Sequence, residues 1–206
     1  SQIVSFLMEL EPGLKVLDVC SSPGGKTTHM AELMKNRGKI LAFDISRDKV
    51  EKVLENAKRL GIGIIDTGIL PGEKLSEVVQ EEFDRILLDV PCSSLGTIRK
   101  NPDVMWRVKK SDFKELSKLQ YEILNSAWKL LKKGGVLMYS TCTITQEENK
   151  NVIERFVSEH NNVRILDVRD DMQKFNIDGI WDGFGFLMLP DETLTPFYVS
   201  KLRKIG

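Results

Sequence analysis

Three cysteines carry the first chemical signal in this chain of 206 residues. Cys20 directly follows the run KVLDV, Cys92 lies three residues past Asp89 in DVPCSS, and Cys142 lies two past Ser140 in STCT. A thiolate is a strong nucleophile able to form covalent intermediates, whereas a cysteine in a core is merely a small apolar filler. Position favours chemistry here. Each cysteine sits just beyond an apolar run of strand length, and in an open parallel sheet ligands bind beyond the carboxyl ends of the strands. All three are therefore expected at one rim. No two form a C-x-x-C pair, and His29 and His160 lack ligand spacing, so no metal site is expected.

The first cysteine opens a glycine loop, DVCSSPGGKTTH, from Asp18 to His29. Its Gly25-Lys26-Thr27 looks like the end of a phosphate-binding P-loop, but the first glycine of that pattern would fall at position 20, which is Cys20. An acidic strand end, ILLD closing at Asp89, keeps a nucleotide-hydrolase reading open. The dinucleotide pattern G-x-G-x-x-G is absent. Asp44 closes the run KILAFD 20 residues after Gly24, a spacing that suits a carboxylate accepting from ribose hydroxyls; the alternative is a cap on the next helix. Two adjacent glycines let backbone approach a ligand closely. An adenosine cofactor without phosphates, such as S-adenosylmethionine, fits that loop.

The elements that must position these residues alternate. Runs at 15–19, 39–44, 61–65, 85–90 and 136–140 are predicted strands, with amphipathic stretches between them, as in 49–60 with Val50, Val53, Leu54, Ala57 and Leu60 at helical spacing. That rhythm predicts a parallel sheet covered on both faces. Gly38, Gly61 and Gly134-Gly135 mark helix stops, the last after a helix ending in Lys132-Lys133. Beyond Val163 the pattern weakens; 197–202 reads as a last strand, and WDGFGF (181–186) receives no assignment. Thr145 and Glu148 read as a capping box for the following helix. Trp106 reads as a core residue, with base stacking as the alternative.

At 41% hydrophobic content the chain supports one core and one domain over 1–206. There is no apolar run to span a bilayer and no basic-then-apolar leader, which leads to the expectation of a cytoplasmic protein with free thiols, a monomer without membrane or metal partners. The chain starts at Ser1 within an apolar helical pattern, so a preceding RNA-binding region is expected to be missing from it. Net charge is zero, yet it is segregated: 99–118 carries seven basic residues against three acidic, and 167–192 seven acidic against two basic. A basic face suited to nucleic acid can exist on a neutral protein; a solvated helix face and an acidic loop would give the same counts.

Taken together, VLDVCSSPGGKT, DVPCSSLGTIRKNPDVMW and LLKKGGVLMYSTCTITQEENKNVIERF resemble the Sun (Fmu-like) family of RNA cytosine-C5 methyltransferases nearly end to end. The resemblance implies a class I, Rossmann-like α/β fold with a mostly parallel seven-stranded sheet and helices on both faces. It implies S-adenosylmethionine as methyl donor and cytosine in structured RNA as acceptor, ribosomal RNA first and tRNA as the alternative. Cys20, Ser21, Ser22, Pro23, Gly24, Gly25 and Lys26 would line the methionine and ribose side, Asp44 would take the ribose hydroxyls, and Asp66 would lie near the adenine amino group. Asp89 would face the cofactor and the target base. Cys142 would be the nucleophile and Cys92 would assist release, whereas DNA-type enzymes attack with the cysteine of the P-C motif, here Cys92. Ser21 and Ser22 stand where the family often has alanines, and TPFY (195–198) where it often has D-G-F-F. A nucleotide hydrolase and a non-catalytic RNA-binding module are the rival readings.

Overall fold

The central strands form around short apolar runs such as KVLDV, ILLD and VLMYS, and the strands lie in the order β3-β2-β1-β4-β5-β9-β8-β7. The computed structural model describes residues 2–190 and 194–206; Asp191 and Glu192 of the acidic segment lie outside the described residues. Along the chain come α1 (Ile3–Leu7), β1 (Lys15–Val19), α2 (Gly25–Leu33), β2 (Lys39–Asp44), α3 (Arg47–Arg59), β3 (Ile65–Ile69), α4 (Leu75–Val78) and β4 (Phe83–Asp89). A 3₁₀ turn at Leu95–Thr97 then leads to α5 (Val104–Arg107), α6 (Lys110–Lys129), β5 (Leu131–Thr141), α7 (Lys150–Glu159) and β6 (Val163–Leu166). The C-terminal part adds α8 (Arg169–Lys174), β7 (Gly179–Trp181), β8 (Phe186–Met188) and β9 (Phe197–Lys204).

Strands β3, β2, β1, β4 and β5 pair in parallel, and β9 runs antiparallel against β5. Side chains alternate between the two faces, as a pleat requires. Leu17, Ile86, Leu88, Leu137 and Tyr139 pack with Ile123, Leu124, Trp128, Ile153 and Phe156 of α6 and α7. Val16, Leu87 and Met138, one residue out of step, pack with Val4, Met30, Met34 and Val53 of α1, α2 and α3 on the other face. The expected class I α/β arrangement with helices on both faces is present.

Three expectations need correction. The sheet has nine strands among the described residues instead of seven, because the outer edge of β9 is shared: β6 lies along Lys201–Lys204 and β8 along Phe197–Val199, with β7 beyond β8. The third strand begins at Ile65, four residues later than the apolar run suggests. Gly61 has φ of +67°, its N–H bonds to Lys58 O at 3.2 Å and the Ile62 N–H to Ala57 O at 2.9 Å. Gly61 and Ile62 thus close the end of α3 in a left-handed cap and are not available to the sheet. Finally, α6 stops at Lys129, and Lys132-Lys133 belong to the β5 segment, where Gly134 turns the chain at φ of +78°.

The unassigned WDGFGF is the β7–β8 hairpin. The Asp182 carboxylate accepts from the N–H groups of Phe184 (2.9 Å) and Gly185 (2.8 Å), and the Tyr198 hydroxyl donates to it at 3.2 Å. The hairpin is thereby tied to β9. No helix among the described residues is long and apolar enough to cross a membrane.

Candidate active site

Four strand ends meet at the carboxyl rim of the parallel sheet: those of β1, β2, β4 and β5. Beyond β1 the chain reverses sharply, with Cys20 at φ of +64° and Gly24 at φ of +98°. A side chain at residue 24 would be strained by that φ and would also press on the Val53 backbone 3.0 Å away, which is why α2 can begin so close to α3 only with glycine there. The turn is pinned to β2: Ser21 N–H donates to Phe43 O at 3.0 Å and Ser22 N–H to Asp44 Oδ2 at 2.9 Å. Asp44 is buried, and its other oxygen accepts from Ile45 N–H at 2.7 Å and from Lys49 Nζ at 3.0 Å. A carboxylate offers about four acceptor positions, so one remains for a ligand hydroxyl.

Cys20, Ser22 and Asp89 line both of two adjoining cavities, of about 420 Å³ and about 220 Å³. Ile45, Leu70, Pro71, Leu119 and Ile123 give the larger an apolar wall, with the carboxylates of Asp44, Glu73 and Asp89 also on its lining. Asp18 lines the smaller. Its Oδ2 accepts from Thr27 Oγ1 at 2.6 Å, while Oδ1 is buried and has no hydrogen-bond partner among the described residues. Burial pushes the Asp18 carboxyl up to about 7. An orphaned carboxyl oxygen, a ribose-spaced carboxylate and an apolar wall together fit an amine-bearing adenosine cofactor. Lys26 Nζ lies 2.6 Å from Asp89 Oδ2 and joins the glycine loop to the end of β4.

Past β4 and β5 the two remaining cysteines face each other, with Cys92 Sγ 3.1 Å from Cys142 Sγ. Ser94 Oγ stands 3.4 Å from Cys142 Sγ, at a left-handed backbone position of φ +60°. The pair shares one ionisation unequally. The hydrogen bond from the Cys92 thiol, helped by Ser94, holds Cys142 below the ordinary thiol range, and that same bond, with burial, drives Cys92 far above it. Cys20 takes no part: burial pushes its thiol up to about 12.

Sequence reasoning missed what holds these loops. Glu148 is fully buried; its Oε2 accepts from Ser93 N–H at 2.8 Å and Gln120 Nε2 at 3.0 Å, and its Oε1 accepts from Thr145 Oγ1 at 2.9 Å. The Thr145–Glu148 contact exists, but α7 starts only at Lys150 and the carboxylate turns inward to a loop 55 residues away, so the capping-box reading is replaced by a clamp across both cysteine loops. Gln120 of α6 also donates to Pro91 O at 2.9 Å. Gly96 N–H bonds to Cys142 O at 2.9 Å, and a Cβ there would strike the carbonyls of Cys142 and Pro196.

Two expected residues lie elsewhere. Asp66 is exposed, one residue into β3 and so near its amino end, and it does not line the cavity; the later start of that strand brings Leu70 to Glu73 to the rim instead. Trp106 is 89% exposed, which overturns the core reading.

Residues 5–203 match the family model 16S rRNA methyltransferase RsmB/F. The chain belongs to this family. Among its RsmB/F relatives, the probable ribosomal RNA small subunit methyltransferase B of Bacillus subtilis (strain 168) is 43% identical over 161 residues, 78% of this chain and 36% of the relative. The ribosomal RNA small subunit methyltransferase B of Citrobacter koseri is 39% identical over 98% of this chain and 45% of its own length. The chain thus spans less than half the length of these curated relatives. Of solved structures, PH0851 superposes with a TM-score of 0.90 at 37% identity, covering 98% of this chain and 45% of that one. NSun6 from Pyrococcus horikoshii, solved with SFG, superposes with a TM-score of 0.83 at 29% identity, covering 100% of this chain and 51% of that one.

Proposed function

We propose that this chain is the single catalytic domain of an enzyme that methylates C5 of a cytosine in RNA, ribosomal RNA by the names its relatives carry, through a covalent bond from Cys142 to C6. The observation that carries the reading is the thiol pair, 3.1 Å apart beyond the ends of β4 and β5, with Ser94 Oγ 3.4 Å from Cys142 Sγ. The glycine loop Cys20–Lys26, Asp44 and the orphaned Asp18 oxygen would hold S-adenosylmethionine, whose sulfonium supplies an electrophilic methyl group.

The protein's own residues do the rest. The Cys142 thiolate adds to C6, and the electron pair displaced from the C5–C6 double bond makes C5 nucleophilic. Asp89, fixed by Lys26 and by Ser140 Oγ at 2.9 Å, is at hand to bond the cytosine edge and favour that addition. Once Cys142 is a thioether it no longer accepts a hydrogen bond from Cys92 as an anion, so the main cause that holds the Cys92 proton is gone and only burial still opposes its loss. Having passed its own proton to solvent, Cys92 as thiolate takes the C5 proton; as that proton leaves, the C6–S bond breaks and Cys142 departs as thiolate. The target base must leave its stack to reach the pair, at about a few kcal/mol, less for an unpaired base.

The test pairs two variants on unmethylated 16S rRNA transcript with S-adenosylmethionine. Cys142→Ala should give neither methylation nor a covalent complex. Cys92→Ala should attack and stall, leaving a protein–RNA complex that survives denaturing electrophoresis. The reverse pattern assigns the attack to Cys92, and full methylation by both variants removes the covalent mechanism.

A further inference from the structure

A second feature of the same end of the molecule has no part in the thiol chemistry. Between α6 and α7 runs a groove of about 490 Å³, with Lys110, Lys114 and Lys118 along one wall and Asn151 and Arg155 along the other. The three lysines recur every four residues, so they form one row down a single helix face, about 6 Å apart at 1.5 Å rise per residue. That interval is close to the spacing of successive phosphates along an RNA strand.

Lys110 and Lys114 have no ion-pair partner among the described residues, and Lys118 only reaches Glu122 at 3.9 Å. Exposed Lys52, Lys58 and Lys129 also lack ion-pair partners among the described residues, and what sets the present row apart is that its three lysines line one groove. Arg155 is committed differently: it bonds Glu159 at 2.9 Å and lies 3.9 Å above the Tyr121 ring centroid, which fixes the opposite wall. One carboxylate, Glu147, lines the groove. In a chain of zero net charge, this row is a local excess of cation and not a sample of a generally basic surface.

Both walls are continuations of the cysteine loops. α6 receives the chain that leaves β4 through Cys92, and α7 begins eight residues after Cys142. Gln120, two residues past Lys118 on the buried side of α6, is bonded to Pro91 O and to Glu148. The groove therefore holds a fixed position relative to the reacting sulfurs.

We infer that the α6–α7 groove holds the phosphodiester backbone of single-stranded RNA flanking the cytosine that enters the Cys92–Cys142 site, with Lys110, Lys114 and Lys118 facing successive phosphates. The inference rests on the RNA methylation proposed above. Its test is the salt dependence of binding to a fluorescein-labelled, roughly 12-nucleotide single-stranded RNA containing one cytosine, between about 50 and about 200 mM KCl. Each neutralised contact to a single strand lowers the slope of log K against log salt by about 0.7, so the Lys110→Gln, Lys114→Gln, Lys118→Gln triple variant should lose about 2 from the slope. Lys114→Gln alone should lose about 0.7, and serves if the triple variant does not fold. A matched triple variant at exposed Lys52, Lys58 and Lys129 should keep the wild-type slope. S-adenosylmethionine binding by calorimetry should be the same in all.

A groove variant with the wild-type slope, or a control variant with the same loss, overturns the inference; if the wild type still methylates RNA, the proposed function stands without it. Wild-type protein that binds no RNA overturns both. A groove variant that loses binding to a deca-aspartate peptide but not to RNA gives the surface to a protein partner, and likewise overturns the inference.

Discussion

The cysteine rim and the arm at 98–108 leave the same strand and are held in opposite ways. At the rim almost every polar group is tied: Ser93 N–H to Glu148, Ser93 Oγ to Thr143 Oγ1 at 2.8 Å, Gly96 N–H to the Cys142 carbonyl. Thr141 Oγ1 bonds Asn149 Oδ1 at 2.6 Å, and the Tyr139 hydroxyl bonds Glu148 O at 2.6 Å. The arm has one buried anchor, Val104, while Met105 and Trp106 stand out in solvent. Bonds that fix two sulfurs within reach of each other belong to a preorganised reacting centre. An exposed indole offers a flat face on which an unpaired base can stack. On the function proposed above, the chemistry belongs to the rim and recognition to the arm, and substitutions should separate them.

The largest effect is expected at the clamp. Glu148→Ala leaves the Ser93 N–H and one of the two Gln120 Nε2 hydrogens unpaired, the other staying on Pro91 O, and should lower stability by about 3 kcal/mol in denaturant unfolding, at about 1–3 kcal/mol per unpaired buried group, with methylation lost alongside. Glu148→Gln keeps an acceptor for both donors and should recover most of the stability; if it is as damaging as alanine, the clamp works through charge and not through hydrogen bonds. Next in size is Asp44→Ala, which should weaken S-adenosylmethionine binding by about 1.5–3 kcal/mol in calorimetry. Tight ATP binding with no S-adenosylmethionine binding would revive the nucleotide-hydrolase reading.

The arm should respond the other way round. Trp106→Ala should leave the unfolding free energy within about 0.5 kcal/mol of wild type, as an exposed substitution does. It should weaken RNA binding by about 1–3 kcal/mol, the scale of one base stacked on an aromatic ring. Loss of stability without loss of RNA affinity would erase the contrast with the rim. The finest test is of pH. Because Cys142 lies below the ordinary thiol range and a thiolate is the reactive form, its alkylation by iodoacetamide, followed by peptide mass spectrometry, should rise at lower pH than for a free thiol. Cys92→Ala removes the main hydrogen bond that lowers it and should move that rise to higher pH, with Cys20 labelling after Cys142 in both proteins.

How far these regions were legible in the sequence depended on how local the deciding interactions are. β1 and β2 match their apolar runs residue for residue, because a buried parallel strand needs only uninterrupted apolar residues. β3 did not, since Ile62 serves the end of a helix and only the Gly61 backbone angle reveals it; the misplacement of Asp66 follows from that shift. The sequence put three cysteines on one rim but could not say that two of them touch while the third is sealed off. Glu148 kept the local pattern of a cap and spent its carboxylate on residues 28 and 55 positions away. Trp106 was misjudged because an aromatic residue carries no mark of exposure.

The Glu148 clamp also determines how the site comes apart. One carboxylate joins the loop after β4, the loop after β5 and the middle of α6, so none of the three can open while the other two stay bonded. Local opening in a protein proceeds by such cooperative units. Amide exchange at Ser93 and along the middle of α6 should therefore share one opening free energy and slow together when RNA is bound, while the amides of the arm exchange on their own, faster clock.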